Sequence, residues 1–172
     1  MSKIDTLVVN FAAYEDATEF LGMTEATLPD VEYMSETLSG SGIAGEIDEI
    51  IAGYTSVMTT TLNFRTYTKA AVKLLEPRIH NIDLRVAQQQ TDSGTGDVGI
   101  VAVRHVLKVK PKKTAMGKLS AASEADVSGD YSTADLATYI NNEKVTEIDP
   151  LNNKCVINGK DYLADVRKAL GK

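Results

Sequence analysis

The sequence predicts a mainly β fold: a two-sheet β-sandwich or partial barrel with a short central helix and a C-terminal helix. Three observations carry the prediction. Apolar and polar residues alternate in several runs, as in strands with one covered and one wet face. Turn signals punctuate those runs, including Asn141-Asn142 and Asn158-Gly159. Helical periodicity is confined to residues 69–76 and 162–170, so repeated helix–strand alternation and a doubly wound parallel sheet are disfavoured.

Along the chain, residues 6–13 and 18–28 read as two strands joined by a hairpin loop at Tyr14-Glu15-Asp16, with Gly22 as a break. A short extended piece follows at 31–34. The stretch 38–53 reads as a Gly-rich loop without helical or strand period, although it carries Ile43, Ile47, Ile50 and Ile51. Apolar side chains on such a loop need a cover, from the same domain or a neighbouring copy. Residues 55–66 alternate: Met58, Leu62 and Phe64 on one face, Thr59, Thr61, Asn63 and Arg65 on the other. Thr68 caps a helix over 69–76 that Pro77 stops.

Residues 79–90 and 99–110 form a long hairpin around the loop 91–97. Ile82, Leu84 and Val86 share one face of its first strand, and Asp83, Arg85 and Gln89 the other. Residues 111–119 read as a Lys-rich break. Residues 121–140 are extended, with Gly129 at a bulge or bend. A strand over 144–148 returns after Asn141-Asn142, and Asp161 caps a last helix ended by Gly171.

The chain has 172 residues, 43% of them hydrophobic, which suits one domain over 1–172 with a sizeable core. It has no Trp, seven Tyr and three Phe, fewer aromatics than a base-stacking surface uses. The net charge of −6 argues against nucleic-acid binding by counterion release. Its distribution is polar: residues 4–64 carry eleven acids and no Lys or Arg, and residues 65–172 carry seventeen bases and thirteen acids. A subunit whose front meets the back of its own copy has this asymmetry, and so does an unremarkably solvated surface. The start of the chain lacks a long apolar stretch, and no run approaches a membrane span, so the expectation is a soluble protein made in a cytoplasm.

Residue types that do chemistry are sparse. His80 and His105 have no carboxylate at metal-ligand spacing and read as structural. Cys155 sits in an apolar run and reads as a small buried hydrophobe. The 92–97 loop has two acids and two glycines but not the oxygen spacing of a calcium loop, so a plain hairpin tip is expected. Neither a nucleophile elbow nor a phosphate-binding loop is present, so no catalytic, cofactor or metal residue is expected. The lysines 108, 110, 112, 113 and 118 suit phosphate, an acidic neighbour or a solvated strand edge.

In order and spacing, several stretches resemble the major tail tube protein family of contractile-tailed phages and R-type bacteriocins. They are Thr27-Leu28-Pro29-Asp30-Val31, the run from Gly40 through Ile43 to Asp48, and Thr61-Leu62-Asn63-Phe64-Arg65. Val145-Thr146-Glu147-Ile148-Asp149, Val156-Ile157-Asn158-Gly159-Lys160-Asp161 and Arg167-Lys168-Ala169-Leu170-Gly171 follow. The resemblance implies a structural, non-enzymatic subunit that closes into hexameric rings, each copy lending strands to a continuous β-barrel around a lumen. Rings would stack head to tail inside a contractile sheath, bounded by baseplate hub and tail terminator proteins, and DNA or ions would pass through. The particle would be a virion tail or an extracellular bacteriocin, its subunits made in the bacterial host cytoplasm. Type VI secretion tubes look similar in fold.

On this basis Gly40, Gly42, Ile43, Gly45, Glu46, Ile47 and Asp48 are expected at contacts between subunits, together with Lys108, Lys112 and Lys113. Thr59, Thr61, Asn63, Arg65, Asp83, Arg85 and Gln89 are expected to face the lumen, as a polar wall along which a polyanion slides. Two rivals remain at this point. A carbohydrate-binding β-sandwich needs a groove of exposed aromatics, and a small enzyme needs a catalytic constellation.

Overall fold

The computed structural model describes residues 2–22 and 25–172. The strands are β1 (Lys3–Glu15), β2 (Glu19–Phe20), β3 (Glu25–Thr27), β4 (Tyr33–Ser39), β5 (Glu46–Thr55) and β6 (Met58–Phe64), then β7 (His80–Asp92), β8 (Val98–Ala115), β9 (Val127–Ile140), β10 (Glu143–Asp149), β11 (Lys154–Ile157) and β12 (Lys160–Asp161). The helices are α1 (Lys69–Lys73) and α2 (Ala164–Ala169).

Ten strands form one sheet that does not close, and β4 and β5 form a separate two-stranded ribbon. The spine runs β1–β7–β8–β9, all antiparallel. At β9 the sheet forks: Val127 to Thr133 pair with β6, and Leu136 to Ile140 pair with β10. The two-sheet, partial-barrel expectation therefore takes the form of one large curved sheet with a small ribbon at its side.

Alternation explains the core. Met58, Thr60, Leu62 and Phe64 are buried along β6, with the residues between them half-buried. From β7 and β8, Ile82, Leu84, Leu107 and Val109 join Ala13 of β1 and Tyr131 of β9. Ala71 of α1 and Leu74 after it fill the concave side. Because one cluster touches both β1 and β6, which are separated by three strands, the sheet must curl around α1. Thr68 sets the helix, its Oγ1 accepting from the Ala71 amide at 3.1 Å. A second core holds Met58, Ile148, Cys155 and Leu163 under α2.

Several expected boundaries move. The first hairpin turns at Asp16 and Ala17, both at positive φ, and pairs only two residues of β1 with β2. The principal partner of β1 is β7, which pairs with it from Lys3 to Glu15 and so meets the backbone hydrogen-bonding needs of the long strand on that side. The strand expected over 18–28 is split into β2 and β3 and crosses residues 23–24, which lie outside the described residues. The expected break at 111–119 is in its first part strand: β8 runs on through Pro111 to Ala115, with register shifts at Lys108/Val109 and Pro111/Lys113. A bulge is where a strand accommodates a proline. Gly129 is not at a bulge; it pairs regularly with Leu62 and Thr114, and the Tyr131 ring fills the place of its missing side chain. Asp161 does not cap α2 as its first flanking residue, which is Leu163; its Oδ1 accepts from the Leu163 amide at 3.0 Å.

His80 is fully buried, and its two ring nitrogens meet Glu15 Oε1 at 2.7 Å and the Glu76 carbonyl oxygen at 2.9 Å. Arg78 also donates to Glu15 at 2.9 Å, and Lys73 Nζ lies 3.2 Å from the other carboxylate oxygen, an ion pair rather than an aligned hydrogen bond. Burial pushes the Glu15 carboxyl up, but the hydrogen bonds from His80 and Arg78 and the charge of Lys73 prevail and hold it below its ordinary value. This cluster ties the end of β1 to α1 and the start of β7. His105 on β8 is held down by burial, its Nδ1 at 2.9 Å from Thr138 Oγ1.

Both groups have depressed folded values, so each contributes stability above its ordinary pKa that is lost as pH falls. Stability should decline as pH drops below 6.5 through His105 and again below 4.5 through Glu15. Glu15→Gln should cost about 2 kcal/mol at pH 7 and flatten the lower step. Urea titrations across pH check this; an unchanged acid limb in the variant contradicts it.

Candidate functional site

The residues expected between subunits sit on the β4–β5 ribbon. The stretch read as a loop is the outer part of a β-hairpin: only residues 40–45 turn, and Ser35 through Ser39 pair with Ile50 through Glu46. Gly40, Gly42 and Gly45 all have positive φ and make that turn. Glu46, Ile47 and Asp48 belong to β5, and Ile43 is half-buried. Ile47 is 46% exposed, and Leu38, Ile50 and Ile51 are exposed as well. The ribbon is rooted at Gly53, which has φ +82° and packs so closely on Leu163 that a Cβ would stand 2.8 Å from its side chain.

A second exposed apolar region lies at the far end of the sheet. Ile4, Leu7, Val8 and Val9 of β1 and Val98 and Ile100 of β8 are each more than half exposed. No strand pairs with the outer edge of β1 before Tyr14 among the described residues. Neither region has an aqueous justification. A monomer seldom leaves apolar surface of this kind on two sides.

Of the three lysines, Lys108 is engaged within the chain: it donates to Asp135 at 2.7 Å, and that bond raises its pKa. Lys112 and Lys113 have no ion-pair partner among the described residues. They lie where β8 has run past the start of β7, whose pairing ends at His80 with Val109.

The expected lumen residues share the sheet face turned away from the core, but not as one open polar wall. Thr59, Thr61 and Asn63 are half-buried on β6. Thr61 Oγ1 donates to Asp130 at 2.8 Å, and Asn63 Nδ2 donates to Glu25 at 3.4 Å. Arg65 lies beyond the strand, in an exposed ion pair with Glu124. Asp83 corrects the expectation of a wet side chain: it is only 3% exposed. Arg104 covers it with two hydrogen bonds of 2.7 and 2.9 Å, and Arg85 adds two of 3.2 and 3.0 Å. Arg104 comes from β8 and was missed, because nothing local in the sequence places it directly across from Arg85. Gln89 is half-buried on the same strand face. Arg85 and Arg104 border a trough of about 520 Å³ floored by Ala12, Ala87 and Ala102. Phe11 and Tyr139 line it; Tyr139 lies near Arg104 at 5.9 Å, and Arg85 itself lies over the Tyr14 ring at 4.4 Å.

Asp92, of the loop weighed for calcium, has its carboxylate engaged by its own turn. Oδ1 accepts from the amides of Gly94 and Thr95, which hold the group below its ordinary pKa.

The profile of the phage tail tube protein FII family matches residues 5–171. The chain belongs to that family. It is a structural tube subunit, not an enzyme. No curated protein matches. Among solved structures, it is similar to the sheath/tube terminator of an extracellular contractile injection system in the extended state. That match has a TM-score of 0.54 and 10% identity, over 79% of this chain and 97% of the other. At that identity the likeness establishes the fold. The sheath–tube complex of such a system matches at a TM-score of 0.49 and 9% identity, over 76% and 88% of the two chains. The tube-terminating cap of the anti-feeding prophage matches at 0.47 and 14%, over 79% and 95%.

Gly53→Ala adds a clash with Leu163 at a backbone angle that disfavours side chains, at a cost of about 2 kcal/mol. The expected result is a folded sheet with a loosened ribbon: faster proteolysis within 33–55 and a lower urea midpoint. A midpoint equal to that of the unaltered chain would show that the contact is not tight.

Proposed function

We propose that this chain assembles with copies of itself into stacked, hexameric rings that form the inner tube of a contractile injection machine. The machine is a phage tail or a phage-tail-like bacteriocin, and the lumen conducts DNA or ions across a bacterial envelope. The observation that carries the reading is the pair of uncovered apolar regions, the β4–β5 ribbon and the far end of β1 and β8. Closing a ring pairs free strand edges, and stacking covers the ribbon; heterologous contacts of that kind extend without limit along an axis. Ile43, Ile47 and the turn around Gly40, Gly42 and Gly45 reach the neighbour, with Glu46 and Asp48 beside them.

The face bearing Thr59, Thr61, Asn63, Asp83, Arg85 and Gln89, with Arg65 at its border, lines the lumen in this account. Asp83 helps there by occupying two guanidiniums that would otherwise hold a polyanion. Outside the tube lie a sheath, and at its ends a baseplate hub and a terminator. The terminator likeness supports that setting, because a protein that continues a tube can share the fold of its subunits. The particle works outside the cell, as a virion tail or a free bacteriocin, after its subunits are made in the bacterial cytoplasm.

Electron microscopy of purified protein tests the reading. Rings or tubes should appear above a critical concentration. Leu38→Ser with Ile47→Ser removes about 1.5–3 kcal/mol of burial per side chain and should raise that concentration more than about tenfold, with the sheet still folded by circular dichroism. Monomers of the unaltered protein that persist at high concentration overturn it.

A further inference from the structure

The ribbon contains an arrangement that an isolated subunit gains nothing from. Glu36 on β4 and Glu49 on β5 stand directly opposite each other, both exposed. Like charges in that position repel across the pair and destabilise a two-stranded ribbon that has little else to hold it. The next pair on the same face is Leu38 with Ile47, both exposed and apolar. The ribbon's acids, with Glu32, Glu46 and Asp48 added, have no cation partner among the described residues. Residues 32–49 hold no Lys or Arg at all.

The complementary surface lies elsewhere on the same chain. Lys110, Lys112 and Lys113 are exposed on the part of β8 that extends past β7, and none has an ion-pair partner among the described residues. Lys113 stands opposite Asp130 in register, but the carboxylate of Asp130 is bonded by Thr61. Just beyond the lysines, Met116 is exposed and Leu119 is 100% exposed. On the β7 side this stretch has no strand partner among the described residues, since that pairing ends at Val109. One surface presents acids beside apolar side chains, and the other presents lysines beside apolar side chains. Among the described residues the two do not meet: the ribbon's strands pair with each other, and no ion pair joins its acids to these lysines.

We propose that the acidic ribbon face of one copy, centred on Glu36 and Glu49, docks on the Lys110–Lys112–Lys113 edge of a second copy. This rests on the tube reading and specifies which surfaces meet. The docking cations relieve the repulsion between Glu36 and Glu49, so the ribbon is better ordered in the assembly than in the free subunit. It also gives the assembly one polarity, because a ribbon cannot dock on a ribbon or a lysine edge on a lysine edge.

Charge reversal tests the pairing on the full chain. Glu36→Lys with Glu49→Lys, and separately Lys112→Glu with Lys113→Glu, should each raise the critical concentration about tenfold or more. All four substitutions in one chain should bring it back near the original value, because the pair is swapped and not lost. Circular dichroism and sedimentation at low concentration establish that each variant is a folded monomer. Assembly of the unaltered chain without rescue by the fourfold variant overturns the docking and leaves the tube reading standing. An unaltered chain that never assembles overturns both.

Discussion

A curved sheet of ten strands has far more surface than a five-residue helix can cover, and that mismatch governs the rest of the molecule. The core gathers where α1, the turn after β1 and the middle of β7 and β8 converge. Beyond it the strands continue into water with apolar side chains still on them. A monomer that evolved to stay alone would shorten those strands or place charges along them. This one instead fastens the covered half with the buried Glu15–His80 pair and the partly exposed Lys73 and Arg78 that reach it. The folded core thereby becomes a rigid platform from which uncovered elements project.

The elements with a single buried face were legible in the sequence. β6 reads correctly because Met58, Leu62 and Phe64 share a period of two and are all buried, Leu62 and Phe64 in the main core and Met58 in the second. Thr68 and the turns at Asn141-Asn142 and Asn158-Gly159 are local chemistry, and local chemistry survives into the fold; all four asparagine and glycine residues have positive φ. The ribbon was not legible as strand. Its sequence, Glu46-Ile47-Asp48-Glu49-Ile50-Ile51, puts apolar residues on both faces, so no single-face alternation appears. That failure carries information: a strand with grease on two sides is a strand waiting for a second surface.

The candidate site was legible in its residue types but not in its pairings. Asp83 alternates with core residues and so reads as wet, yet arginines from its own strand and from β8 close over it. Lys108 belongs to a lysine run that looks uniform, yet Asp135 claims it and leaves its neighbours alone. Arg104 and Asp135 lie 21 and 27 positions from the residues they engage, a separation that no local pattern records. The family profile runs over nearly the whole chain, while a solved structure of the same fold shares only 10% of its residues. What the likeness establishes at that distance is the fold.

The central claim is that the ribbon and the sheet's far end are unfinished until another copy covers them. Amide hydrogen exchange, compared between dilute subunits and assembled material, measures it most directly. The account predicts fast exchange in the dilute subunit at residues 33–55 and 3–9, strong protection of both on assembly, and little change around Leu62, Leu84 and Leu107. Full protection of the ribbon in the lone subunit, or assembly that leaves both regions exchanging as before, would contradict it.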